Sequence, residues 1–282
     1  MRRREDESCA GRPRLGHQVN GVVERLRAVV DTEYEMGVHV HEAGHLGSVP
    51  SRVPVSRTRD GACDDQAVLF LLPPSEGKAQ PATGRPLDVA RLSFPSLTAE
   101  RERLLTAALR AAPALPAREL YTGVLYAALD LPSLPAAAQR RFVIISAQYG
   151  AVRPADRIAT YKREIDAKRW RPLLEPELAK AAGRGVILDC RSATYVAAWR
   201  PAGAQAERTA HVSVVREVAG KRTVVSHDAK KTRGEVARFV AETGEMPKSV
   251  DALAALIRRR FPCELDPPER ADTPWRLTIV TT

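Results

Sequence analysis

AVLFLLPPSEGK, residues 67–78, sets six apolar residues in a row, then two prolines, then a polar turn that ends on a lysine. An apolar run of this length without alternation suits a strand buried on both faces, as in a sheet covered by helices. The prolines end the strand, and the turn residues after it carry the chemistry. The pattern recurs down the chain. FVIIS (142–146) runs into AQYGAVRPADRIATYKRE (147–164), and VILDC (186–190) into RSATY (191–195). HVSVV (211–215) and RTVVS (222–226), joined through REVAGK, read as an antiparallel hairpin that leads into HDAKKTRGE (227–235).

Helical stretches separate these runs. TAERERLLTAALRAA (98–112) offers Thr98 as an N-cap, Glu100 and Glu102 in its first turn and Pro113 as a stop. PLLEPELAKAAG (172–183) ends on Gly183, a C-cap residue. GEVARFVAETG (234–244) and SVDALAALIRRR (249–260) place apolar residues at helical spacing. Strand and helix in alternation, with one hairpin, predict an α/β fold: a mixed sheet with helices on both faces. No internal repeat is present.

Upstream, residues 1–65 read as a poorly structured appendage or linker, and 66–282 as the α/β domain. One helix is expected at VNGVVERLRAVVDTEYE (19–35), followed by a stretch rich in Gly, Pro, Ser and charge. The charge divides at the same place. Of the net +10, the first 65 residues carry −1 and the remaining 217 carry +11. A basic compact domain points to phosphorylated or nucleic-acid ligands, although charge speaks to association and not to fold.

Several classes are excluded as expectations. No stretch approaches the ~20 apolar residues of a membrane helix, and MRRREDE lacks the apolar region of a secretory signal. The four cysteines lie far apart with no CxxC pair, which argues for a reducing cytoplasm and against a disulfide scaffold. HEAGH (41–45) formally matches the zinc-protease motif HExxH. That chemistry needs a stable helix and a third ligand, whereas Gly44 would sit inside the helix and Pro50 follows closely. No metal and no cofactor are therefore expected.

In open α/β sheets, ligands sit beyond the carboxyl ends of the strands. The loops named above would bring cations there: Lys78, Arg153, Lys162, Arg163, Lys230, Lys231 and Arg233. The carboxylates would be Glu76, Asp156, Glu164 and Asp228. SEGK can present backbone N–H groups and an ammonium to an anion, but it lacks the spacing of a Walker A loop. KKTRG is read as a phosphate clamp at a helix start or as a basic solvated helix end. Tyr149, Tyr161 and Tyr195 are read as stacking platforms for bases or as packed tyrosines with satisfied hydroxyls.

Together these loops resemble the YaaA family of peroxide-stress proteins. The likeness rests on LLPPSEGK, LSFPSLT, YTGVLYAALD (121–130), SAQYGAVRPADRIATY, LDCRSATYVAAWRP and VSHDAKKTRG, in the family's order from residue 68 to about 240. It implies a YaaA-like fold and a cytosolic protein that binds DNA through a basic cleft and limits oxidative DNA damage. Residues matching the family pattern include Lys78, Tyr121, Gly123, Ser146, Tyr149, Arg153, Asp156, Tyr161, Glu164, Ser192, Tyr195, Lys230, Lys231, Arg233 and Gly234. Relatives carry a longer helical insert where this chain has only PALPAREL (113–120), so an outer contact surface is expected to be missing.

The expected partner is DNA, bound without marked sequence preference, with Lys78, Arg153, Lys162, Lys230, Lys231 and Arg233 on phosphates and Tyr149 and Tyr161 beside a base. The alternative is a nucleobase- or nucleoside-acting enzyme of glycosidase or base-transfer type that uses the same cleft, with Glu164 or Asp156 as acid/base. A metal-handling role is disfavoured because His211 and His227 are isolated.

Overall fold

The computed structural model describes residues 66–224 and 226–282. The helix expected over 19–35, the HEAGH segment and the appendage as a whole lie outside the described residues. Ten strands are present among the described residues: β1 (Leu69–Leu72), β2 (Ala114–Pro116), β3 (Phe142–Ser146), β4 (Gly150–Val152), β5 (Arg157–Ala159), β6 (Ile187–Asp189), β7 (Thr209–Val218), β8 (Lys221–Thr223), β9 (Cys263–Asp266) and β10 (Trp275–Thr281).

Eight of them form one mixed sheet in the order β4-β3-β1-β6-β7-β10-β9, with β8 paired to β7. The five central strands, β3 to β10 in that order, run parallel; β4 and β9 close the edges antiparallel. β2 and β5 make a separate antiparallel pair. The chain is α/β, as the alternating pattern predicts.

The short strands are apolar throughout because both faces are covered. Phe70 and Leu72 point into one core with Phe142, Ile144 and Leu188, packed beneath the helices Val124–Leu129, Ser226–Thr243 and Val250–Arg258. Leu69 and Leu71 point into the other with Val143, Ile145 and Ile187, under Trp199 and the helices Thr98–Leu104 and Ala167–Ala182. Side chains alternate across a strand, so one tetrapeptide serves both layers. No helix among the described residues is long and apolar enough to cross a membrane.

Several local expectations are corrected. The stretch 98–112 is two helices, Thr98–Leu104 and Ala107–Ala111. Thr106 interrupts it, because its hydroxyl accepts from Leu109 N at 3.1 Å and caps the second helix. Thr98 is itself helical and makes no cap bond at this end. The next helix starts earlier than PLLEP suggests, at Ala167 under an Asp166 cap, and carries Pro172 and Pro176 within it. Both prolines are on the solvent face, opposite the buried stripe Trp170, Leu174, Leu178 and Ala182, so the carbonyls they leave unpaired can face water. The hairpin is real but shorter. Val218 pairs with Lys221, leaving Ala219-Gly220 as a two-residue turn with both φ positive, and β8 stops at Thr223. The helix that contains KKTRG begins at Ser226, which places Lys230 and Lys231 in its second turn. β9 and β10, not anticipated in the sequence, complete the sheet.

Candidate functional site

β1 lies between β3 and β6, and the chain visits β3 on one side before crossing to β6 on the other. The loops after β1 and β6 leave in opposite directions, and in open α/β sheets the ligand crevice lies at such a switch in strand order. The loop after β1 is held by the YTGV segment. Tyr126 Oη donates to Pro73 O at 2.6 Å, and Gly123 N donates to Ser75 Oγ at 2.8 Å. Thr122 N reaches Gly77 O and Ala79 N reaches Leu120 O, so Lys78 and Tyr121 are paired in an antiparallel bridge. A Cβ at 123 would stand 2.1 Å from Ser75 Oγ, so a side chain there would push that hydroxyl off Gly123 N.

Lys78 is thereby turned onto a cluster of tyrosines. Its Nζ donates to Ser75 O at 2.6 Å and stands 4.6 Å from the Tyr161 ring centroid and 6.0 Å from that of Tyr121. Ser146, the last residue of β3, donates its hydroxyl to Tyr161 Oη at 2.9 Å, and Tyr161 Oη shares a hydrogen bond of 3.0 Å with Tyr121 Oη. Tyr149 N and Gln148 N donate to Ser146 Oγ in turn. Tyr121 stacks on Tyr126, and Tyr161 meets Tyr149 edge-on. Burial holds the phenols of Tyr121, Tyr126, Tyr149 and Tyr161 above the ordinary tyrosine value, so each keeps its proton at neutral pH. Burial also lowers Lys78 from the ordinary lysine value, with Glu76 opposing.

The rim is mixed in charge. Lys230 Nζ stands 3.8 Å from Glu76 Oε1. Tyr195, half-buried, is raised by burial and then by Glu76 and Glu164, which places both carboxylates near it. Lys162 and Arg163 are exposed, and Arg163 Nε donates to Gln148 Oε1 at 2.7 Å. The structure thus brings Lys78 to Tyr161 and Lys230 to Glu76 around the loop after β1, with Lys162, Arg163 and Glu164 on the segment that leaves Tyr161.

Other expected site residues are engaged elsewhere. Arg153 donates to Arg140 O and Phe142 O and lies over Phe94, at the amino end of β3 and so at the opposite end of the sheet. Asp156 is buried beside it, accepting from Ser93 N, Ser93 Oγ and Arg153 N. Tyr149 is fully enclosed, with its hydroxyl donated to Ala159 O. Arg233 donates Nε to Val212 O, and Lys231 faces Glu235 one helical turn on. The structure does not bring Arg153, Asp156, Tyr149 or Arg233 into the crevice as exposed groups.

At the carboxyl end of β6 lies an ion pair that the reading of the sequence did not single out. Arg191 donates Nε and Nη2 to the two carboxylate oxygens of Asp189, and its guanidinium packs 5.5 Å from the Trp199 ring. His211 Nδ1 is 3.6 Å from Asp189 Oδ2. Burial alone would raise Asp189, but Arg191, with His211, outweighs it and holds the carboxyl well below the usual range. Cys190 between them is buried, its thiol pushed up to about 12 by burial and by Asp189. The signal for this pair was present: DCR puts two charges at the end of an otherwise apolar run. Among the described residues no group of three His, Cys, Asp or Glu side chains is placed to hold a metal ion.

Comparison with known proteins brings in relatives. The family model described as peroxide stress protein YaaA matches residues 88–261. A UPF0246 protein of Streptomyces coelicolor is 38% identical over 257 residues, covering 76% of this chain and 98% of the relative. A UPF0246 protein of Corynebacterium efficiens is 33% identical over 231 residues, covering 68% and 92%. The family match contains the segments around Tyr121, Ser146, Tyr161, Tyr195 and Lys230, while the SEGK loop precedes it.

Proposed function

Since this chain belongs to the family of peroxide stress protein YaaA, we propose that it is a cytosolic peroxide-stress protein that binds DNA at the crevice beyond β1, β3 and β6 and so limits oxidative damage. One observation carries this reading. Lys78 is a half-buried cation which, among the described residues, has no carboxylate in ion-pair range. A half-buried charge without an ion-pair partner is incompletely compensated, and a phosphate oxygen from outside supplies one. Lys230 stands across the same loop, and the domain's net charge of +11 favours approach of a polyanion.

The geometry favours a local grip over a long basic track. Arg153 and Arg233 donate to main-chain carbonyls, which leaves Lys78, Lys162, Arg163 and Lys230 as the phosphate contacts. Tyr121, Tyr126, Tyr149 and Tyr161 are packed on one another and do not offer open faces for stacking, so discrimination between bases is weak. Fluorescence anisotropy of the full chain with a labelled duplex tests the reading. Binding at ~50 mM salt that weakens steeply by ~200 mM supports it, and no binding at the lower salt overturns it.

The second reading, a base-releasing enzyme, retains Glu164 because that carboxylate acts on Tyr195 at the crevice. Asp156 does not share that position. Free base released from nucleosides or damaged DNA, and lost in Glu164→Gln with the fold intact, would favour this reading over simple binding.

A further inference from the structure

The crevice has one group whose chemistry exceeds anion binding. We propose that Lys78 is an amine nucleophile that forms an imine with the ring-opened aldehyde of an abasic deoxyribose in DNA. The inference rests on the DNA-binding reading above and names the damaged unit that the crevice holds.

Three observations converge on it. The first is placement. The ammonium sits on the loop beyond the carboxyl end of β1, fixed at one N–H by Ser75 O and backed by the Tyr161 ring, so the amine has a set position. The second is surroundings. No carboxylate partner among the described residues stabilises its charged form at ion-pair range, and burial withdraws water from it. Burial favours the neutral amine that a nucleophile requires, and the charge of Glu76 opposes it without outweighing it. Glu76 and Lys230, which face it across the loop, are paired with each other at 3.8 Å. The groups around them are phenols that stay protonated. The third is shape. Tyr121 is stacked on Tyr126 at 5.2 Å and Tyr161 is set edge-on to Tyr149 at 5.4 Å. No gap is left between the rings for a base, whereas a sugar that has lost its base needs none. The flanking phosphates then fall to Lys230 on one side and Lys162 with Arg163 on the other.

The step balances without an oxidant or reductant. The Nζ lone pair attacks C1′ of the aldehyde, forming the C–N bond while the C=O π pair moves to oxygen, which takes up a proton given up by nitrogen. The hydroxyl then leaves as water with a further proton from solvent, the nitrogen lone pair closes the C=N bond, and the nitrogen returns its remaining proton to solvent. Amine and aldehyde become imine and water.

Sodium borohydride trapping tests this. The full chain is incubated with a labelled duplex carrying one abasic site, with an intact duplex, and with a duplex carrying a tetrahydrofuran analogue that has no aldehyde. Reductant is added, and the products are separated under denaturing conditions. The expected result is a covalent complex with the abasic duplex alone, with peptide mass spectrometry placing the adduct on Lys78. Lys78→Arg keeps the cation over the tyrosines and removes the attacking amine. With its fold checked by circular dichroism and thermal melting, it should reduce trapping to the level of the intact duplex. Duplex binding by anisotropy without a Lys78 adduct, or adducts spread over Lys162, Lys230 and other surface lysines, would overturn the imine and leave the DNA-binding reading standing. No duplex binding at all would overturn that reading, and the inference with it.

Discussion

Arg191 grips both carboxylate oxygens of Asp189, at 2.8 and 2.7 Å, with neither side chain exposed. Removing one partner leaves the other charged, buried and alone. Asp189→Asn and Arg191→Met should each destabilise the domain by about 3–5 kcal/mol, read from urea unfolding midpoints. The pH dependence follows from the direction of the shift. In the fold Asp189 ionises well below the ordinary aspartate value, so the unfolded chain binds more protons in acid. Its contribution is fully present above about pH 4 and is lost as pH falls through the folded value. Asp189→Asn should flatten that part of the stability profile; an unchanged slope would remove Asp189 as its source.

Gly234 packs the Ser226–Thr243 helix onto the Val124–Leu129 helix so closely that a Cβ would stand 2.3 Å from Leu125 O. Gly234→Ala must push the helices apart, against a backbone atom that cannot rotate away. A loss of about 1–3 kcal/mol is expected, although alanine ordinarily favours a helix. Because the same helix carries Lys230, DNA affinity should fall as well. Differential scanning calorimetry with anisotropy on one preparation measures both.

Tyr161→Phe removes the hydroxyl that joins Ser146 to Tyr121 while keeping the ring beneath Lys78. Stability should drop by about 1 kcal/mol, the usual size of a lost hydrogen bond. Ser146→Ala should lose more, because Ser146 Oγ also accepts from Gln148 N and Tyr149 N, which are buried and would be left unpaired. Equal melting temperatures for the two variants would contradict this ranking.

The basic residues should separate by location in the salt dependence of duplex binding. Lys78→Ala and Lys230→Ala should each lower the slope of log K against log salt by about 0.9, the value of one phosphate contact. Arg153→Ala should leave the slope alone and reduce stability, since its guanidinium serves the carbonyls of Arg140 and Phe142. A slope change in Arg153→Ala would place it at the interface after all.

The sheet was legible because its strands are buried on both faces. LFLL, FVIIS and ILD are apolar without a break and need no partner to be recognised. β9 and β10 were missed because CELD and WRLTIVT alternate with charge and hydroxyl, and one face of that half of the sheet stays partly open. Loop endings located the crevice, but sequence order cannot say which way an arginine turns. Arg153 and Lys78 both follow strands with short loops, yet β4 runs antiparallel to β3 and delivers Arg153 to the far end. Tyr121 and Ser146 matched the family pattern without a role; only the bridge between Lys78 and Tyr121 shows that they complete the wall around the amine.

β1, made early in the chain, has both of its neighbours later: β3 at 142–146 and β6 at 187–189. During synthesis, LFLL must leave the ribosome and wait with both edges unpaired until β3 has followed, and with one edge still unpaired until residue 189 has followed. A nascent chain that stalls in this interval presents an unpaired apolar strand to its surroundings, the ordinary starting point of aggregation. The placement of β1 between β3 and β6 therefore also gives the strand that leads to Lys78 the longest wait, among the described strands, between its own synthesis and its enclosure on both sides, and yield on expression should depend on chaperone capacity more than on the stability of the finished fold.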